Sequence, residues 1–144
     1  MALKFTPTRA TLTLKYGGLS FSAEMPAEMV EDHPRPVFRG TDIKRVENAA
    51  ARWVIEHGIK APETIRALRA AAGLTGSQLA ELLGVDKSHV SKWENGKSDP
   101  GVALWNTVAQ LALEAMEGST RTVDRLRATQ TEPPLLTGEI KLAM

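Results

Sequence analysis

The sequence predicts a mainly α-helical α+β protein, with a small β module at the N-terminus and a helical domain after it. Two observations support this fold class. Between residues 10 and 25, apolar and polar residues alternate on both sides of a Gly-Gly pair, which is the pattern of a β-hairpin. From residue 41 the apolar residues recur every three or four positions, which is the spacing of amphipathic helices. We therefore predict an N-terminal module over residues 1–60, a helical domain over residues 61–128 and a flexible tail over residues 129–144.

The hairpin is predicted to turn at Gly17 and Gly18, because such a turn needs positive φ angles that glycine adopts easily. Alternation with a period of two places all the larger apolar residues of each strand on one face. These residues are Leu12, Leu14 and Tyr16 before the turn and Leu19, Phe21 and Ala23 after it. The sequence leaves open which face of the hairpin is buried.

A loop and a helix are predicted between the hairpin and residue 60. Residues 26–40 contain three prolines, which interrupt both helical and strand patterns, and leave only a short strand at Val37 and Phe38. We expect the next helix to be capped by Thr41, to end at Gly58 and to bury Trp53. Its apolar stripe consists of Ile43, Val46, Ala50, Trp53, Val54 and His57.

Five helices are predicted after residue 60, each bounded by capping or stop residues. Thr75 and Gln78 have the spacing of a capping box. Asp86 is suited to cap the third of these helices, and Gly96 to end it in the left-handed conformation. The five segments are Pro62 to Ala72, the stretch between Thr75 and Gly84, the stretch between Asp86 and Gly96, a longer helix from Pro100 to Gly118, and a last helix capped by Ser119.

Two of these helices form a helix-turn-helix pattern, in which a short helix, a tight turn with a glycine and a second short helix follow one another. The B-DNA major groove accepts one α-helix, and its base edges suit Lys, Ser and His side chains. We predict that the residues of the second helix that face away from Val90 and Trp93 read bases: Lys87, Ser88, His89, Ser91 and Lys92. The predicted phosphate contacts are Ser77, Gln78, Asn95 and Lys97.

The stretch "IRALRAAAGLTGSQLAELLGVDKSHVSKWENGKSDP" resembles the lambda-repressor-like (Xre-type) DNA-binding family. It covers about a quarter of the chain, and the combination of "LAELLGV", "WENGK" and a following proline is specific. The resemblance implies a five-helix domain whose third helix reads the major groove, and a structural ion pair between Arg69 and Glu94. Many members have a phosphate-binding Gln at the position of Gly76, so this anchor is missing here.

The order of parts also resembles the MqsA (YgiT-type) antitoxins of bacterial toxin-antitoxin pairs. Their N-terminal module usually holds zinc through two Cys-x-x-Cys pairs and can bind the toxin. This chain contains no cysteine, so the resemblance does not carry zinc over. It implies that residues 1–60 bind a small toxin and that the helical domain represses the promoter that the pair shares.

Composition argues against several other classes of protein. The absence of cysteine excludes disulfides and thiolate zinc sites, and His33, His57 and His89 are too scattered for a metal site. Neither Ser77 nor His57 has the oriented partners of a catalytic triad, so we expect no enzyme activity and no cofactor. The N-terminus lacks the apolar core of a signal peptide and no stretch is long enough to span a membrane, which predicts a cytoplasmic protein.

The sequence therefore predicts a transcriptional repressor that binds an inverted-repeat operator as a homodimer and acts as an antitoxin. The net charge is only +1, so any surface that binds DNA must be local. Two alternatives remain: a stand-alone Xre-type regulator, or a protein-interaction module that has lost DNA affinity. The sequence does not decide which segment forms the dimer contacts: the last helix, the strand-like segment "GEIKLAM" or the hairpin.

Overall fold

The computed structural model describes residues 4–131, which form six helices and one three-stranded antiparallel sheet with the strand order β1-β2-β3. The predicted α+β class is confirmed. The segment "GEIKLAM" and most of the predicted tail lie outside the described residues. The elements are β1 (Phe5–Tyr16), β2 (Leu19–Val30), β3 (Val37–Phe38), α1 (Gly40–Glu56), α2 (Pro62–Ala71), α3 (Gly76–Leu83), α4 (Lys87–Glu94), α5 (Val102–Glu117) and α6 (Arg121–Gln130).

The hairpin forms where the sequence predicts it and is longer than expected. Tyr16 pairs with Leu19 across a turn in which Gly17 and Gly18 have φ angles of 60° and 81°. The predicted apolar face is half-buried because α1 packs against it, whereas the alternate residues of both strands are exposed on the opposite face. The side of the hairpin that faces the core is therefore the leucine side.

The predicted loop after the hairpin is partly wrong, because β2 continues to Val30. Pro26 lies inside this strand, opposite Arg9 of β1. Proline is tolerated in a strand where no neighbouring strand needs its N–H. On its other side β2 pairs with β3 only at Ala27 and Glu28, so Pro26 has no strand partner there.

Helix α1 begins before the predicted cap. The helix starts at Gly40, and its N-cap residue is Arg39, which makes no side-chain capping bond. The carbonyl oxygen of Arg39 accepts from the N–H groups of Asp42 and Ile43 at 3.1 and 3.0 Å, so Thr41 already lies in the first turn. The prediction of Thr41 as the cap is therefore wrong. At the other end, the side chain of His57 is exposed instead of joining the apolar stripe.

Trp53 is 41% exposed, which corrects the prediction that α1 buries it. The helix buries Val46, Ala50, Ala51 and Val54, and this narrow stripe leaves Trp53 at its edge. The indole packs edge-on against Phe21, with ring centroids 5.6 Å apart, and stacks on His57 at 3.9 Å. It borders an apolar cleft of about 330 Å³ between β2 and α1, the β2-α1 cleft, whose lining includes Phe21, Ala23, Met25, Arg45, Val46, Ala50 and Trp53.

One hydrophobic core joins the helices. Ala51 and Val54 of α1 belong to the same buried cluster as Leu68, Leu79 and Trp93. Trp93 and Trp105 are only 6% and 5% exposed. Helices α1 to α5 contribute buried residues to this core, and α6 packs against it with the partly buried Val123 and Leu126. The five-helix count implied by the resemblance is therefore not matched.

The hairpin is attached to α2 at its turn end. The hydroxyl of Tyr16 donates to the carbonyl oxygen of Ala67 at 3.2 Å. An ideal Cβ built on Gly17 would lie 2.9 Å from Oγ1 of Thr64, a side chain that is fully buried. A larger residue than glycine at this turn would therefore push the hairpin away from α2.

Helix α6 is capped differently from the prediction. Its N-cap residue is Thr120, one position after the predicted Ser119, and Thr120 makes no side-chain capping bond. The free N–H groups of the first turn are satisfied from elsewhere: Arg121 donates to Oγ of Ser119 at 3.3 Å and Thr122 donates to Oε1 of Glu114 at 3.0 Å. Glu114 is only 6% exposed, so this bond fixes α6 against α5.

Candidate nucleic-acid interface

Helix α3 is held at both ends by side-chain hydrogen bonds. The predicted capping box is present: Oγ1 of Thr75 accepts from the N–H of Gln78 at 3.1 Å, and Oε1 of Gln78 accepts from the N–H of Thr75 at 2.9 Å. Gly84 ends the helix in the left-handed conformation. The side chain of Gln130 in α6 donates to the carbonyl oxygen of Leu82 at 2.7 Å, which ties α6 to this end of α3.

Helix α4 is short and has one buried stripe. Asp86 caps its N-terminus by accepting from the N–H of Ser88 at 2.9 Å. Hydrogen bonds from the backbone and then the side chain of Ser88 lower the pKa of the Asp86 carboxyl, so the charged cap is favoured. Val90 and Trp93 are 1% and 6% exposed and fix the helix to the core. Gly96, with a φ of 71°, turns the chain away after the last residue.

All nine side chains predicted to contact DNA are exposed. Five of them line one cleft of about 460 Å³ between the N-terminal ends of α3 and α4, the α3-α4 cleft. These five are Ser77, Lys87, Ser88, Ser91 and Asn95. The other four, Gln78, His89, Lys92 and Lys97, do not line it. The predicted residues therefore divide into five that line the cleft and four that lie outside it, of which only His89 and Lys92 are on α4.

Two of the predicted phosphate contacts already make hydrogen bonds within the protein. Oε1 of Gln78 is used in the capping box, which leaves its Nε2 donor for a ligand. Nδ2 of Asn95 donates to the carbonyl oxygen of Ser91 at 2.8 Å and lies 3.3 Å from its Oγ. Because phosphate oxygens only accept hydrogen bonds, Asn95 would have to redirect a donor to bind one.

Arg69 and Glu94 form a bidentate ion pair. Nε of Arg69 lies 2.5 Å from Oε1 of Glu94, and Nη2 lies 3.3 Å from Oε2. Nη1 of Arg69 also donates to the carbonyl oxygen of Leu74 at 3.0 Å. One guanidinium group thus joins α2, the turn before α3 and the last turn of α4. The two side chains are only 19% and 9% exposed, so the pair is mostly buried, with Glu94 at the edge of the α3-α4 cleft.

Arg66 also belongs to this region, although no sequence pattern by itself indicates a role for it. Its side chain is 60% exposed and lines the α3-α4 cleft. The signal is its position three residues before Arg69, because residues three apart lie on the same side of a helix. Sequence spacing alone does not show that this side of α2 borders the N-terminus of α3.

The α3-α4 cleft is lined by two acidic and two basic side chains. The acidic residues are Asp86, which caps α4, and Glu94, which is paired with Arg69. The basic residues are Arg66 and Lys87, so these four charges cancel, and the local sum is +1 when Arg69 is counted with them. Within residues 4–131 no group of three or more His, Cys, Asp or Glu side chains is arranged to hold a metal ion. The one surplus positive charge of this group, which includes Arg69, favours an anion over a cation in the cleft.

Comparison with known protein families agrees with this geometry. Residues 65–111 match the family model described as Helix-turn-helix. The match covers about one third of the chain and supports the resemblance to lambda-repressor-like domains over that part. No curated protein and no solved structure matches the chain.

The helix-turn-helix match runs from α2 into α5 and includes all the predicted site residues. It supports a regulator of transcription that binds DNA through a domain of a typically non-enzymatic kind. The hairpin and α1 lie outside the matched residues. None of the helices within residues 4–131 combines the length and the apolar character needed to cross a membrane.

Proposed function

We propose that this protein is a sequence-specific transcriptional repressor that places α4 in the major groove of its operator. The carrying observation is the division of α4 into a buried stripe, Val90 and Trp93, and an outer face that is entirely exposed. The outer face contains small and basic side chains that fit base edges: Lys87, Ser88, His89, Ser91 and Lys92. The caps and the Arg69-Glu94 pair hold this helix in place before DNA arrives.

The repressor acts as a homodimer on an inverted repeat. One helix of eight residues reaches only a few base pairs, and two half-sites about one helical turn apart supply the specificity that one cannot. We propose Ser77, Gln78, Asn95 and Lys97 as phosphate contacts that set the position of α4.

The N-terminal half gives the protein a second surface, and we propose that it binds a small toxin, which makes the repressor an antitoxin. The supporting observation is the β2-α1 cleft, in which Trp53 remains 41% exposed beside the apolar side chains of Phe21 and Met25. Partly exposed aromatic side chains in apolar clefts are enriched at protein interfaces.

DNA binding is tested by fluorescence anisotropy of the purified protein with labelled DNA from its own promoter and with a shuffled copy, each at two salt concentrations. Tight binding to the promoter alone, weaker at higher salt, is expected. Equal weak binding to both DNAs would reject autoregulation at that site and favour a module that binds proteins instead.

Toxin binding is tested with the product of a short reading frame next to this gene. We expect the two proteins to form a complex that Trp53→Ser weakens at least tenfold, which corresponds to about 1.4 kcal/mol, by calorimetric titration. Val102→Ser is the matched control, because Val102 is 60% exposed and lies on α5, away from the β2-α1 cleft. If no complex forms, the antitoxin role is rejected and the alternative of a stand-alone regulator is favoured.

A further inference from the structure

The guanidinium group of Arg66 is a cation that lines the α3-α4 cleft and has no close ion-pair partner. Its Nε lies 3.9 Å from Oε2 of Glu94, at the limit of an ion pair. Arg69 binds the same carboxylate through two hydrogen bonds and is much less exposed, 19% against 60% for Arg66. Glu94 is therefore neutralised mainly by Arg69, and the charge of Arg66 remains available to a ligand.

The α3-α4 cleft that Arg66 lines has no side chain at position 76. Gly76 lies at the start of α3 and lines the same cleft as Arg66 and Ser77. An ideal Cβ on Gly76 would meet only Cγ1 of Val90, at 3.9 Å, which is ordinary van der Waals contact. A Cβ would thus be tolerated at position 76, and the cationic side chains that line this cleft are Arg66 and Lys87.

We propose that Arg66 binds a phosphate of the DNA backbone at the α3-α4 cleft. The inference rests on the proposed function. Backbone contact is expected because the first helix of a helix-turn-helix crosses the DNA backbone while the second enters the groove, and Arg66 borders the first, α3. A guanidinium also matches phosphate geometry, since it can donate two parallel hydrogen bonds.

The experiment compares Arg66→Gln, Arg66→Lys and the wild type by anisotropy on promoter DNA and on the shuffled copy over a series of salt concentrations. Arg66→Gln is expected to weaken binding on the order of tenfold on both DNAs. It should also reduce the slope of log K against log salt by about 0.9, the value for one phosphate contact. Arg66→Lys keeps the charge, so it should keep the slope while losing part of the affinity.

Arg52→Gln is the matched control. Arg52 lies on α1, is 44% exposed and has one carboxylate, that of Glu117, at 3.9 Å. It resembles Arg66 in having an exposed side chain and a weak ion pair, but it lies outside the cleft. Its substitution should change neither the affinity nor the salt slope. Thermal unfolding of the variants checks that the exposed Arg66 contributes little to the fold.

The outcomes separate this inference from the proposed function. If the wild type binds the promoter and Arg66→Gln binds it with the same affinity and slope, the inference is wrong and the repressor function stands. A loss on the promoter but not on shuffled DNA would also overturn it, because Arg66 would then read a base. If the wild type binds neither DNA, the proposed function itself fails.

Discussion

Arg69 of α2 holds Glu94, the last residue of α4, through two parallel hydrogen bonds, of which the shorter measures 2.5 Å. The same arginine bonds the carbonyl oxygen of Leu74, just before α3. The pair therefore fixes the distance between the core helix α2 and both helices of the helix-turn-helix. A helix that must enter DNA in one orientation gains from such a constraint, because less flexibility is lost on binding.

Removing Arg69 should destabilise the protein strongly. Glu94 is 9% exposed, so Arg69→Ala leaves a mostly buried carboxylate without its closest partner, and we expect a loss of about 3 kcal/mol in the free energy of unfolding by urea titration. Arg52→Ala breaks an exposed pair with Glu117 and should cost less than about 1 kcal/mol. Similar losses in the two variants would contradict a structural role for the Arg69-Glu94 pair.

Lys92 should distinguish base reading from phosphate binding. We expect Lys92→Ala to weaken binding to the preferred operator by about 1–3 kcal/mol, and binding to shuffled DNA by less, in anisotropy titrations. Lys44→Ala, at a lysine with a 62% exposed side chain on α1, is the control and should leave both affinities unchanged. An equal loss on both DNAs would assign Lys92 to a phosphate.

Gly96 should resist substitution more than Gly40. Its φ of 71° is in the left-handed region, and a Cβ would lie 3.4 Å from Cγ of Pro62. We expect Gly96→Ala to lower the free energy of unfolding by about 1–2 kcal/mol, measured by urea titration. The control is Gly40→Ala, where the backbone is helical and the space is empty, so stability should stay the same or rise slightly. Equal effects would show that the conformation of Gly96 is not constrained.

Turns and helix caps that depend only on residues close together in the chain could be predicted from the sequence. The Gly17-Gly18 turn, the capping box of Thr75 and Gln78, and the Asp86 cap each depend on residues that are three or fewer positions apart. Such signals fix where the helices of the helix-turn-helix begin and end, and hence which side of α4 is exposed. This is why the exposed face of α4 agrees with its sequence pattern.

Features that depend on distant partners could not be predicted in the same way. Periodicity places Trp53 next to Val54 on α1, but only the position of β2 determines how wide the buried stripe is. Pro26 predicts the end of a strand. It is accommodated inside β2 because β3 is only two residues long and does not pair with Pro26. Arg66 gains its place in the candidate site from the packing of α2 against α4, which no local pattern encodes.

Tyr16 should make stability depend on alkaline pH. Burial, and then the charge of Glu47, raise the pKa of this only tyrosine from 10.0 to about 12. Between these values the folded protein keeps the phenol proton that the unfolded chain loses. The stabilisation from Tyr16 is therefore complete below pH 10 and lost as the pH rises towards about 12.

Ultraviolet absorbance should give a higher ionisation midpoint for Tyr16 in the native protein than in urea. Tyr16→Phe removes the hydrogen bond to Ala67, should cost about 1 kcal/mol at neutral pH, and should make stability less dependent on pH in this window. Equal midpoints in the native and unfolded states would contradict the burial of the phenol against α2.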